Sequence, residues 1–207
     1  MKFERTLIIA KHDAVQRGLM GEILMRFERV GLKLIALEFL KATEDMGHQH
    51  YPTTTEWLEK VGNRTLTEYK EKGIDPKEKL GTNDAIEIGK MIKGWNVEYL
   101  TVGPVLAMVF EGPGAVKIGR KLVGETNPSV AAPGTIRGDF SSDNADMAND
   151  FARPFYNLVH ASGSVEEAEF EIGLWFDAKE IFDAHEVHYH QAMGFKGKFV
   201  GKNTDKK

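Results

Sequence analysis

The residues best equipped for chemistry lie close together in the last third of the chain: Asn157, His160, Ser162, Ser164 and Glu171. Tyr156-Asn157-Leu158-Val159 runs up to His160, a turn of Ser162-Gly163-Ser164 follows, and an amphipathic stretch from Val165 to Phe176 begins at once. This order predicts a histidine at a strand end facing a helix N-terminus. Backbone N–H groups and the positive end of the helix dipole favour negative charge there, so the chemistry suited to the position is that of a phosphate. Ser164 with Glu167 three residues on fits a capping box and sets the helix start, which places Glu171 two turns in. A histidine by itself is more often a hydrogen-bonded structural group than a nucleophile, so the reading rests on the company His160 keeps.

The elements that must hold these groups follow from hydrophobic periodicity. Thr6-Leu7-Ile8-Ile9-Ala10 is a short apolar run that suits a buried strand and delivers Lys11 to its C-terminal end. Leu19, Ile23, Phe27 and Val30 recur at helical spacing, with Gly31 as the cap. Residues 32–42 read as a second strand with Leu32, Leu34 and Ala36 on one side, and Thr43 to about Leu58 as short helices broken by Pro52. Residues 59–102 carry Ala85, Ile88, Ile92 and Trp95 at helical spacing and read as a helical insertion, either a specificity or assembly element or a neutral elaboration. Pro104–Phe110 is a strongly apolar strand, Gly112-Pro113-Gly114 turns it into a helix from about Ala115 to Val123, and a long loop extends from Gly124 to about Pro154. Without the insertion the order is β-α-β-β-α-β, the ferredoxin-like α+β pattern of an antiparallel sheet with helices covering one face.

Several motifs go further. Lys11, Gly124-Glu125-Thr126-Asn127-Pro128, Gly134-Thr135-Ile136-Arg137-Gly138-Asp139-Phe140 and the Asn157, His160, Ser162, Glu171 series together closely resemble the nucleoside diphosphate kinase family. The resemblance runs through roughly residues 3–58 and 103–178. It implies one such domain over 1–207, with a helical insertion at 59–102, an extended loop at 141–154 and a frayed tail at 196–207. It also implies that His160 takes the γ-phosphate of a nucleoside triphosphate such as ATP and passes it to a nucleoside diphosphate, by ping-pong kinetics through a phosphohistidine. Lys11, Arg120 and Arg137 would neutralise phosphate charge, since phosphoryl transfer needs cations around the equatorial oxygens and an arginine fork can grip two of them. Thr126 and Asn157 would add neutral hydrogen bonds, Glu171 would hold one imidazole N–H so that the other nitrogen is bare, and Ser162 would bond near the transferring group or Glu171. Tyr51 and Trp57 correspond to the helical pair that forms the nucleotide cleft, where the base stacks on an aromatic ring with few polar contacts to its edge. Magnesium would ride on the nucleotide phosphates, because the chain shows no carboxylate cage of its own. The chain departs from the family at Lys11-His12-Asp13-Ala14, at His160-Ala161-Ser162-Gly163-Ser164 and at Tyr156, where an arginine is usual. A homo-oligomer is implied, a hexamer first, with a tetramer or dimer as alternatives.

Composition narrows the remaining classes. The 27 basic and 31 acidic residues leave a net charge of -4, so no basic field points to specific nucleic-acid or membrane partners. The absence of cysteine excludes disulfides, thiolate metal sites and a cysteine nucleophile. The N-terminus resembles neither a signal peptide nor a membrane span, which makes the cytoplasm the expected compartment. His48 and His50, and again His185, His188 and His190, are spaced closely, but without the helical i, i+4 pattern and a nearby acid they read as polar surface or capping residues. A non-catalytic nucleotide-binding or scaffold protein on the same fold is the rival reading, and retention of the nucleophile together with its cations argues against it.

Overall fold

The computed structural model describes residues 3–151 and 153–194. The elements run β1 (Phe3–Ala10), α1 (His12–Gln16), α2 (Met20–Arg29), β2 (Lys33–Leu40), α3 (Glu44–His50), α4 (Thr55–Glu71), α5 (Pro76–Leu80), α6 (Ala85–Thr101), β3 (Val105–Pro113), α7 (Ala115–Val123), α8 (Ile136–Phe140), α9 (Ala145–Asp150), β4 (Val159–Ala161), α10 (Val165–Trp175) and α11 (His188–Ala192). The strands form one antiparallel sheet in the order β2-β3-β1-β4, the expected ferredoxin-like arrangement. The tail assigned to 196–207 lies outside the described residues.

The two central strands are buried on both faces, which is why they read as continuous apolar runs rather than alternating ones. Ile8 and Ala10 of β1 with Leu106, Met108 and Phe110 of β3 pack under α2 and α7, the two crossover helices. Leu7, Ile9, Ala107 and Val109 face the other way, where Ile172 and Trp175 of α10 and Leu100 of α6 cover them. His160 sits opposite Ile9 in the β1–β4 pairing, so its side chain belongs to this second face, while Val159 and Ala161 point into the first.

The expected one-sided set in the second strand is corrected by a bulge between Leu34 and Ala36. Ile35 is the extra residue, and it moves Ala36 to the face opposite Leu32 and Leu34. The Ile35 carbonyl, released from the ladder, accepts from the Phe182 N–H at 2.7 Å.

The helix after Pro52 does not stop near Leu58. Thr54 caps it by accepting from the Trp57 N–H at 3.3 Å, and it continues for 17 residues to Glu71. Asp84 caps α6 in the same way through the Glu87 N–H at 2.9 Å. The two helices touch at backbone distance through a pair of glycines: a Cβ at Gly62 would lie 1.8 Å from the Ala85 carbonyl oxygen, and one at Gly89 would lie 2.3 Å from that of Leu58. Lys72–Asp146 and Lys79–Asp150 ion pairs then tie this hairpin to α9, so the 59–102 and 141–154 segments meet in space. Gly62→Val must push the helices apart, and overpacking of this kind costs about 1–3 kcal/mol. Thermal unfolding should show a lowered midpoint, and an unchanged midpoint would mean that the helices are not in backbone contact.

Candidate active site

His160 is delivered by a bend. Leu158, immediately before β4, has φ 67°, the single non-glycine residue with positive φ among those described. The Val159 N–H returns to the Asn157 carbonyl at 2.7 Å, which makes Asn157-Leu158-Val159 a γ-turn of the strained hand. Both polar groups of Leu158 are held from outside: its N–H donates to Asp13 Oδ2 at 3.2 Å and lies 3.3 Å from the Tyr99 hydroxyl oxygen, and its carbonyl accepts from the Lys11 N–H at 2.8 Å. The Tyr99 hydroxyl also accepts from the Asn157 N–H at 3.0 Å. Burial, with the Asp13 charge adding to it, raises the Tyr99 pKa well above its ordinary value, so the group stays a phenol.

Past the bend, three groups meet. His160 Nε2 lies 2.8 Å from Glu171 Oε1, close but off the line of a straight hydrogen bond, and Ser162 Oγ donates to Glu171 Oε2 at 2.6 Å. Glu171 and Ser162 are buried, and burial raises the Glu171 carboxyl above the usual carboxylate range. His160 Nδ1 has no hydrogen-bond partner among the described residues, which leaves it as the accessible nitrogen of the ring. Burial first, and then the charges of Lys11, Arg137 and Arg120, push the imidazole pKa down against the opposing Glu167, so the ring is neutral at pH 7. The helix behind it begins as expected, with Ser164 accepting from the Glu167 N–H at 3.1 Å. The other half of the expected capping box is replaced: the Glu167 carboxyl takes its backbone hydrogen bond from Gly163.

His50 completes this cluster, and the surface reading of it is corrected here. It is 5% exposed, its ring packs edge-on against His160 with centroids 4.4 Å apart, and its Nδ1 accepts from Trp175 Nε1 at 3.3 Å. Burial and the neighbouring His160 lower its pKa to about 3, so it is an uncharged wall rather than a second base. His190 is buried as well, with Nε2 2.8 Å from the Gly31 carbonyl oxygen, whereas His48, His185 and His188 are exposed as expected.

The cations stand on the other side. Lys11 Nζ donates to Asn157 Oδ1 at 3.0 Å and lies 4.4 Å from the centre of the Tyr99 ring. Its side chain is buried, and burial together with the Arg137 charge lowers its pKa to about 7. Asn157 Nδ2 donates to the Thr126 carbonyl at 3.0 Å, which ties the loop after α7 to the site. Arg137 is buried and donates to three backbone carbonyls: Nε to Asn157 at 3.1 Å, Nη1 to Gly124 at 2.9 Å and Nη2 to Val159 at 2.6 Å. A guanidinium has five N–H groups, so two remain for a phosphate. Arg120, on the last turn of α7, is exposed and donates weakly to the Ala161 carbonyl at 3.4 Å.

Lys11, Thr126, Asn157 and Trp57 line one cleft of about 250 Å³. Tyr51 does not share it: its half-buried ring packs 4.9 Å from that of His50 and lines a separate hollow with Glu167, Phe170 and Glu171. Sequence patterning carries no signal for Tyr99, which lies within an unremarkable helical pattern, nor for Arg153, whose guanidinium lies 4.1 Å over the Tyr156 ring and pairs with Asp143 at 2.7 Å, and the Lys11-His12-Asp13-Ala14 motif does not announce that Asp13 holds Leu158. Among the described residues, the one cluster with metal-ligand spacing is His50, His160 and Glu171. Two imidazoles do not suit a hard cation such as Mg²⁺, which prefers oxygen ligands, so this cluster does not fit magnesium.

Comparison with known proteins identifies the family and the fold. The family model described as nucleoside diphosphate kinase matches residues 4–73 and 83–181, leaving a gap only at 74–82 between them. The chain belongs to the nucleoside diphosphate kinase family. A nucleoside diphosphate kinase from Pyrobaculum aerophilum is 50% identical over 183 residues, covering 88% of this chain and all of the relative. Human nucleoside diphosphate kinase A is 40% identical over 180 residues, or 87% of this chain and 90% of the relative. The crystal structure of the Pyrobaculum NDP kinase superposes with a TM-score of 0.86 at 49% identity, over 87% of this chain and all of that one. A kinase of the family from Borrelia burgdorferi, solved with vanadate and ADP as a transition-state mimic, gives 0.73 at 30% identity, over 93% and 98% of the two chains.

The lowered Lys11 pKa is open to direct measurement. In protein carrying ¹³C-labelled lysine, the Lys11 Cε resonance should titrate near pH 7 in the free protein and shift to a higher midpoint when ADP is added, because a bound phosphate favours the ammonium. A midpoint above 10 without ligand would show that the side chain is solvated.

Proposed function

We propose that this chain is a nucleoside diphosphate kinase that carries the γ-phosphoryl group between nucleotides on Nδ1 of His160. The observation that carries the proposal is the orientation of the ring: Nε2 faces Glu171 at 2.8 Å, Glu171 is fixed by Ser162 at 2.6 Å, and Nδ1 is left without a partner. A neutral imidazole held this way is a competent nucleophile near pH 7. Nδ1 attacks the γ-phosphorus of a bound triphosphate, the bond to the bridging oxygen breaks, and the diphosphate leaves. The positive charge that develops on the ring is met by Glu171 through Nε2–H. A second diphosphate then takes the phosphoryl group by the reverse of these steps.

Lys11, Arg120 and the two spare N–H groups of Arg137 are assigned to the phosphate oxygens, Thr126 and Asn157 to hydrogen bonds beside them, and Trp57 to the nucleoside in the cleft. Tyr51 is assigned to the ring side of the site, against His50. Magnesium enters as part of the nucleotide substrate and supplies charge neutralisation on its phosphates. No helix among the described residues is long and apolar enough to cross a membrane, and the proposed compartment is the cytoplasm. A homo-oligomer is proposed, a hexamer first, and Leu37 and Phe39, which are 47% and 56% exposed on the open edge strand β2, support self-association of some kind.

The test is to incubate the protein with γ-labelled ATP and Mg²⁺ and quench in base. Wild type should carry acid-labile label that added GDP discharges, His160→Ala should carry none, and Glu171→Gln should acquire it on the order of 100-fold more slowly. A folded wild type that binds ATP but never becomes labelled would leave a nucleotide-binding or scaffold protein as the reading. The pH profile adds a second check: kcat/KM reports the free enzyme, so it should fall above about pH 7 as Lys11 loses its proton, with no acid limb near 6.5 because His160 is already neutral there. An acid limb at 6.5 would contradict the low imidazole pKa.

A further inference from the structure

The nucleotide cleft is walled differently from what the family resemblance implies. A base stacked on one ring with few polar contacts would leave the edge of the base in water. Here α4 lays Trp57, Val61, Arg64 and Glu68 along the cleft at spacings of four, three and four residues, one continuous stripe of the helix. The stripe is apolar in its first half and charged in its second. Trp95 of α6 and Pro154 supply further apolar wall, so ring faces can be covered while one edge meets Arg64 and Glu68. Those two are already paired, Nε to Oε1 at 3.2 Å, with Glu68 half-buried and Arg64 exposed at the rim.

We propose that the Arg64–Glu68 pair on α4 reads the edge of the base and makes this enzyme prefer guanine nucleotides to adenine nucleotides. The proposal rests on the nucleotide-kinase reading of the same site and names its substrate preference. A carboxylate offers two adjacent acceptors and a guanidinium two adjacent donors. Guanine carries both complements: N1–H and N2–H₂ side by side for Glu68, and O6 with N7 for Arg64. Adenine has a donor and an acceptor alternating along the same edge, so neither side chain can make two bonds to it. The Gly62 and Gly89 contacts matter here, because they hold α4 against α6 with its stripe turned to the cleft.

Calorimetric titration of the full chain with GDP and with ADP, each with Mg²⁺, tests this without requiring catalysis. GDP should bind about fivefold or more tightly than ADP, the low end of what one bidentate base contact confers. Glu68→Gln, which keeps shape but loses one acceptor, should bring the two affinities close together by weakening GDP alone, while Trp57→Ala should weaken both alike. Equal affinity for GDP and ADP in wild type, or a GDP preference that Glu68→Gln leaves intact, overturns the proposal. Neither result touches the phosphohistidine, whose own failure would appear as an unlabelled wild type.

Discussion

The site depends on one bend in the backbone. A left-handed residue other than glycine costs roughly 1–2 kcal/mol, and Leu158 is held in that conformation by the Asp13 carboxylate and the Tyr99 hydroxyl on its N–H and by the Lys11 N–H on its carbonyl. The bend allows a strand of only three residues to leave β1's edge with His160 on the face that α10 covers. The same supports also fix a buried cation, since Lys11 contributes its backbone N–H to the bend and its ammonium to Asn157. Position of the nucleophile and position of the charge are thus one problem solved by one set of contacts.

Electrostatics explains why so many cations can stand beside an imidazole. Burial and the surrounding positive charge keep His160 neutral, and burial brings Lys11 to a pKa of about 7. The site therefore carries less charge than its residue types suggest. Arg137 differs: burial and the Arg120 charge lower its pKa only to about 10, so it keeps its charge at pH 7, and the three carbonyls that accept from it belong to Gly124, Asn157 and Val159, beside His160. His50 adds an uncharged surface that confines the His160 ring without competing for the proton.

Much of this was legible in the residues because the chemistry is local. His160, Ser162, Ser164 and Glu171 lie on one strand-turn-helix unit, so their spacing predicts their meeting, and the apolar runs of β1 and β3 announce two buried strands. What escaped depends on distant parts of the chain. His50 looks like one of a pair of surface histidines until α3 is packed beside β4, and the bulge at Ile35 carries no turn residue to mark it. Tyr99 reads as a core aromatic of α6, yet its hydroxyl reaches Asn157 and Leu158, 58 and 59 residues away. The helix after Pro52, read as ending near Leu58, continues through Gly62 to Glu71. In the structure that glycine is where α6 comes closest.

In the proposed mechanism Nδ1 of His160 bears the phosphate, because Nε2 faces Glu171. ³¹P and ¹⁵N NMR of the phosphorylated enzyme labelled at histidine reports this most directly. Phosphorus coupling to Nδ1, with Nε2 still protonated, is the predicted result. Phosphate on Nε2, or on Ser162, would contradict the geometry on which the mechanism stands.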